Sequence, residues 1–149
     1  MEGVDTAARG RWMSVLALAS AGELEAHWRD LADPPEFRHV RPPETGLVMV
    51  RGRAGGTGAR FNLGELTVTR RAVELDGALG HAYVRGRARR HAELAALFDA
   101  LLQDPRWRGT LECAVVEPLE RAQAERRRAV AARVAPARVE FFTMVRGEE

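Results

Sequence analysis

The sequence predicts an α+β fold: an N-terminal helical hairpin, a mainly antiparallel sheet built as a meander of about four strands, C-terminal helices and an apolar tail. Three observations predict it. Apolar residues recur at helical spacing before residue 33 and again after residue 89. Between residues 36 and 86 they fall instead into short β-rich runs with period-two alternation. The last two of those runs are joined by Asp76-Gly77, a tight hairpin signal. The 149 residues suit a single domain, divided as helical hairpin 5–33, sheet 36–86, helices 89–134 and tail 138–149.

Each element has a local reason. In Thr6–Ala19, Trp12, Val15, Leu16 and Ala19 share one face of a 3.6-residue period, and Asp5 is placed to cap the N-terminus. Ser20-Ala-Gly-Glu23 has the form of a capping box and opens a second helix, with Leu24, Trp28 and Leu31 on its apolar face. Asp33-Pro34-Pro35 stops that helix, because proline disfavours α geometry in the residue before it. Glu36–Val40 is a short strand closed by Pro42-Pro43. Two further β-rich runs, Leu47–Val50 and Leu66–Leu75, flank five glycines: Gly52, Gly55, Gly56, Gly58 and Gly64. Leu66 and Val68 share one phase while Val73 and Leu75 fall on the other, which predicts a β-bulge near Arg70–Ala72. Gly80–Val84 is the returning strand. From Arg89, the spacing of Leu94, Leu97, Phe98 and Leu101 predicts a helix that ends at Asp104-Pro105. Pro118 suits the first turn of another, running to about Val134 with Leu119, Ala122, Ala129, Val130 and Val134 as its apolar stripe. Much of the apolar content is alanine, so the core is expected to be thin and completed by a partner.

All 23 basic residues are arginine, the net charge is +2, and the pI is 9.4. The high pI reflects a flat titration curve and is weak evidence for a nucleic-acid partner. Arginine suits bidentate pairing with carboxylates or phosphates, although a GC-rich coding sequence gives the same bias. Cys113 is the single cysteine, so no intramolecular disulfide and no CxxC motif exists, as in a reducing compartment. No secretory signal is evident and no run reaches the roughly 20 apolar residues that span a bilayer. The expectation is a cytoplasmic protein without a membrane partner.

The most functional-looking constellation is the glycine segment, where Gly55, Gly56, Thr57, Gly58, Phe61, Asn62, Gly64 and Glu65 combine an open backbone with an aromatic, an amide and a carboxylate. Its plainer reading is a long hairpin loop. It is neither a Walker A motif nor a dinucleotide fingerprint, so any phosphate would be held by backbone N–H groups. A second candidate, for an anion or a partner, is the strand-to-helix junction with Arg85, Arg87, Arg90 and His91, which also reads as a solvated basic junction. The histidines and Cys113 lack metal-ligand spacing, so no metal site is expected. No GxSxG elbow is present. The arginines of the last helix admit a nucleic-acid face, or a solvated face paired with Glu117, Glu120 and Glu125. The tail RVEFFTMVR places Phe141, Phe142, Met144, Val145 and Arg146 in a stretch too apolar for a free terminus, and predicts packing on its own domain or on another chain.

Three segments together, Gly55–Leu75, Gly80–Gln103 and Arg138–Gly147, with Glu44–Val48 and Arg11–Ala17, resemble the PhnG family over nearly the whole chain. This is the G subunit of the bacterial carbon–phosphorus lyase core complex. The resemblance implies partners: a large I-type nucleosidase subunit, an H-type subunit and a radical S-adenosylmethionine J-type subunit, all in paired copies. It implies that the assembly displaces adenine from MgATP with a phosphonate, giving α-D-ribose 1-methylphosphonate 5-triphosphate. The iron–sulfur cluster and S-adenosylmethionine belong to another subunit, and this chain is expected to bind no cofactor alone and to supply no catalytic residue. A standalone nucleic-acid-binding module using the arginine-rich helix is the competing expectation.

Overall fold

The computed structural model describes residues 5–31 and 34–134. In order, they form α1 (Thr6–Leu18), α2 (Ala21–Arg29), β1 (Arg38–Arg53), a short 3-10 turn (Ala54–Gly56), β2 (Arg60–Leu75), β3 (Ala78–Arg85), α3 (Arg89–Gln103), α4 (Pro105–Leu111), a π turn (Glu112–Val116) and α5 (Glu117–Val134). The expected tail lies outside the described residues, as does Asp33.

The N-terminal hairpin forms for the reasons its sequence gives. The Asp5 carboxylate accepts from the Ala7 amide at 3.1 Å. At the start of α2 the Glu23 amide donates to the Ser20 hydroxyl at 3.2 Å and the Ser20 amide donates to the Glu23 carboxylate at 2.7 Å, which completes the capping box. Trp12, Leu16 and Leu24 are fully buried, and Trp28 packs edge-on against Phe98 with ring centroids 5.9 Å apart. Phe98 belongs to α3, which lies across one face of β2 and β3 and is buried along almost its entire length. A Cβ at Gly80 would come within 1.9 Å of the Ala96 carbonyl oxygen, so strand and helix touch backbone to backbone there.

The sheet has three strands, in the order β1-β2-β3, all antiparallel. The sequence predicts about four, with Pro42-Pro43 closing the first. β1 instead runs straight through both prolines. It can do so because it is an edge strand, where a missing N–H breaks no ladder on the open side. Two irregularities accompany the prolines: His39 pairs with Val73 but Arg41 with Ala72, and Glu44 with Arg70. In each, β1 carries one residue more than β2. The bulges therefore lie on β1, opposite Arg70–Ala72, and not on β2 as expected. β2 keeps a plain alternation with Thr69, Arg71, Val73 and Leu75 all buried beneath the helices. Two polar residues on the inner face hid that phase. Thr69 donates to the Gly86 carbonyl at 2.6 Å and accepts from the Ala88 amide at 3.1 Å. Arg71 is bound by Glu93 at 2.5 Å and by the His39 Nδ1 at 2.7 Å.

After Asp104-Pro105 the chain stays helical from α4 through the π turn into α5. Pro118 stands, as expected, in the first turn of the helix that ends at Val134; α5 follows directly on the π turn, whose widened hydrogen-bond spacing accommodates a residue with no N–H. α5 is tied to α1 and α2 by Arg11–Glu120 at 2.6 Å, by Gln123 donating to the Val15 carbonyl at 2.8 Å, and by Arg126–Glu23 at 3.1 Å.

One buried carboxylate gathers the base of the fold. Asp99, on α3 and without solvent exposure, accepts from Arg9 at 2.7 and 3.2 Å, from the Trp12 indole at 2.9 Å and from the His81 amide at 2.9 Å. The neighbouring Leu79 carbonyl accepts from Arg9 at 3.0 Å and Gln103 at 2.8 Å. Side chains thus satisfy backbone groups on the outward edge of β3.

Candidate functional site, a projecting hairpin arm

The glycine segment is the end of a long two-stranded arm. No residue between Arg41 and Val68 is buried, so β1 from Gly46 onward and β2 up to Thr67 run past the helices. About eight residues a side at roughly 3.3 Å each give an arm on the order of 25 Å long. The loop proper shrinks to 54–59, with Gly55 and Gly56 at φ 58° and 82°. Gly58 is a close approach instead: a Cβ there would meet the Ala54 carbonyl oxygen at 2.6 Å.

Cross-strand partners share a face, so the register sorts the arm's side chains. Val48 pairs with Leu66, Val50 with Gly64 and Gly52 with Phe61. The Phe61 ring lies over Gly52, 3.5 Å from where a Cβ would stand, and Leu63 is beside it at 3.9 Å. Leu63 is the extra residue of a bulge between the Val50 and Arg51 pairs, which turns it onto the Phe61 side. This gives one apolar face of Val48, Val50, Phe61, Leu63 and Leu66. The opposite face continues the inner face of the sheet, where Thr45 pairs with Thr69. Near the base it carries Leu47, Met49 and Glu65; towards the tip, Arg51, Asn62, Arg53 and Arg60. Arg51 donates to Asn62 at 3.4 Å and Arg53 to the Gly58 carbonyl at 3.2 Å. Among the described residues none of Arg51, Arg53 and Arg60 forms an ion pair, whereas Arg9, Arg11, Arg38, Arg70, Arg71, Arg90, Arg106 and Arg126 do.

The expected residues are therefore separated. Gly55, Gly56, Thr57 and Gly58 form the tip, Phe61 points to the apolar face, Asn62 and Glu65 to the other, and Gly64 sits in open space. Sequence reasoning missed Leu47, Met49 and Leu63 as surface residues, since their alternation matches that of a core strand. At the second candidate the side chains do not converge. Arg85 and Arg87 are exposed. Arg90 is held by Glu25 at 2.8 Å and by Glu93, and the Glu25 hydrogen bond is the main reason its guanidinium is held above the usual range. His91 turns inward and donates from Nε2 to the Leu16 carbonyl at 2.9 Å. Phe141, Phe142, Met144, Val145 and Arg146 lie outside the described residues.

Among the described residues no group of three or more His, Cys, Asp or Glu side chains is placed to hold a metal ion, and no helix is long and apolar enough to cross a membrane. The functional weight of the arm is physical: extended apolar and cationic surface on an element with no core of its own.

Comparison with known proteins supplies the family. The family model described as phosphonate metabolism protein PhnG matches residues 7–147. A protein of Rhizobium meliloti (strain 1021) named alpha-D-ribose 1-methylphosphonate 5-triphosphate synthase subunit PhnG is 49% identical over 144 residues, which cover 96% of this chain and 92% of that one. A match of that extent, with the Ser20–Glu23 capping box, the sheet and the arm inside it, makes this chain a member of the PhnG family.

Proposed function

We propose that this chain is a supporting subunit of an alpha-D-ribose 1-methylphosphonate 5-triphosphate synthase, contributing assembly and positioning and leaving bond-making chemistry to its partners. The observation that carries this reading is the 49% identity to a protein named as a subunit of that synthase, over nearly the full length of both chains. The arm is consistent with it, because exposed apolar side chains on a projecting element mark a contact surface. The partners in this reading are the I-type, H-type and J-type subunits of a carbon–phosphorus lyase core complex in paired copies. The reaction is displacement of adenine from MgATP by a phosphonate. The nucleic-acid reading rests on the arginine-rich α5, and the arginines of α5 nearest the fold are engaged with Glu23 or the Glu117 carbonyl.

Co-expression tests the proposal. The chain should co-purify stoichiometrically with the I-type subunit, and adenine release from MgATP and a phosphonate should fall to background when this chain is omitted. Full activity in its absence would overturn the reading. If the chain positions and does not donate protons, Glu65→Gln should assemble normally, lower turnover modestly and leave both limbs of the pH–rate curve in place; loss of a limb would make Glu65 catalytic.

A further inference from the structure

We infer that the arm is inserted between two walls of a neighbouring subunit, one wall apolar and the other carrying carboxylates. This rests on the subunit reading above and names the surface that executes it. A two-stranded hairpin without a covering layer is marginally stable in water, yet this one keeps its ladder from Arg53–Arg60 back to the sheet. Its apolar residues stand on both faces. Phe61 and Leu63 are 45% and 64% exposed on one, Leu47 and Met49 are 63% and 53% exposed on the other. A partner lying flat against one face, or a lipid surface, covers one pair and leaves the other in water. A slot covers both.

The charge distribution fixes the chemistry of the second wall. Arg51, Arg53 and Arg60 occupy the outer half of the face that begins with Leu47 and Met49, and Glu65 is the one acid on that face between them and the base. Entering a slot strips water from these guanidinium groups, which costs far more than it returns unless an anion meets them. Planar, bidentate guanidinium groups pair with carboxylates or phosphates, and the anions a protein wall itself supplies are Asp and Glu side chains. The occupant is thus a protein cleft with apolar side chains at its mouth on both sides and Asp or Glu side chains toward its floor on one side. Gly55 and Gly56, with positive φ, and Gly58, with no room for a Cβ, keep the leading end of the arm narrow.

The experiment is co-purification and competition binding with the co-expressed partner subunits, using full-length chains. Leu63→Asp and Met49→Asp change opposite faces at positions with no buried contact, so each variant should keep the wild-type circular dichroism and melting temperature. Each should weaken association at least about 30-fold, the scale of an interface hot spot. The double change Arg53→Glu and Arg60→Glu should weaken it at least about tenfold, and raising salt should weaken the wild type in the same direction. Loss with Leu63→Asp but normal assembly with Met49→Asp would reduce the slot to a single docking face and overturn the inference. Normal assembly of the double arginine variant, with a raised KM for the nucleotide, would place these cations on substrate phosphate and overturn the acidic wall. Wild-type chain that captures no partner would remove the subunit reading itself, whereas wild-type capture with all three variants unchanged removes the slot alone.

Discussion

At the base of the sheet α3 lies so close that Gly80 has no room for a methyl group; some distance along the same ladder β1 and β2 run with no helix on either side among the described residues. The two regions share strands, register and β-rich composition. They differ in what holds the strands. At the base, side chains from α1 and α3 fill the inner face and bond the backbone. In the arm, among the described residues, cross-strand hydrogen bonds and side-chain pairs hold the strands. A β-rich run in the sequence therefore reports that a strand will form, and the long-range contacts decide whether that strand is core or contact surface.

That contrast can be broken hardest at Asp99. Asp99→Ala removes the acceptor for Arg9, Trp12 and the His81 amide and leaves a part-buried guanidinium without its carboxylate, for a loss of about 3–5 kcal/mol in the denaturation midpoint analysis. Gly80→Ala comes next. The new methyl meets the Ala96 carbonyl oxygen and the Ala100 side chain, and the backbones must part, at about 1–3 kcal/mol with a lowered melting temperature. A smaller effect is expected at the capping box, where Ser20→Ala should cost about 1 kcal/mol. Glu23 sharpens that test through pH. The Ser20 backbone hydrogen bond, first among several causes, holds its carboxyl below the ordinary value of 4.5, so folding favours the ionised form. Its contribution is present above that pH and is lost as the pH falls through the lower, folded-state value; Glu23→Gln should flatten this part of the acid limb of the stability curve. The smallest effect belongs to the arm. Phe61→Ala should change the stability of the isolated chain by no more than about 0.5 kcal/mol, since Phe61 is 45% exposed and stands over Gly52 on the arm. A large loss there in the free chain would mean that the arm is held by the chain's own contacts.

What the sequence made legible was local. Asp5, the Ser20–Glu23 box and Asp76-Gly77 each act within a few residues, and each does in the structure what its residue types dictate. The spacing of Leu94, Leu97, Phe98 and Leu101 likewise gave α3 and its buried side. The misreadings all involve a partner far away in the chain. Pro42-Pro43 ends a strand unless the strand is an edge, and edge status depends on strand order. Asp99 carries no sequence signal at all, and its role shows only where Arg9, some 90 residues earlier, reaches it. The segregation of Phe61 and Leu63 from Arg51, Arg53 and Arg60 needs the register and its bulge, and composition alone carries neither. The family resemblance supplied the function that these residues, read singly, did not.

The side-chain bonds on the outward edge of β3 bear on what that edge can offer to another strand. An edge strand offers its free N–H and C=O groups to any other extended chain, and two sheets that meet edge to edge can propagate into fibres. Here the Leu79 carbonyl is already taken by Arg9 and Gln103, and the His81 amide by Asp99. A foreign strand zipping along β3 would have to evict Arg9 from Leu79 and strip a buried carboxylate of one of its donors. The same contacts that fasten α1 and α3 to the sheet thus close this stretch of its border to templated growth.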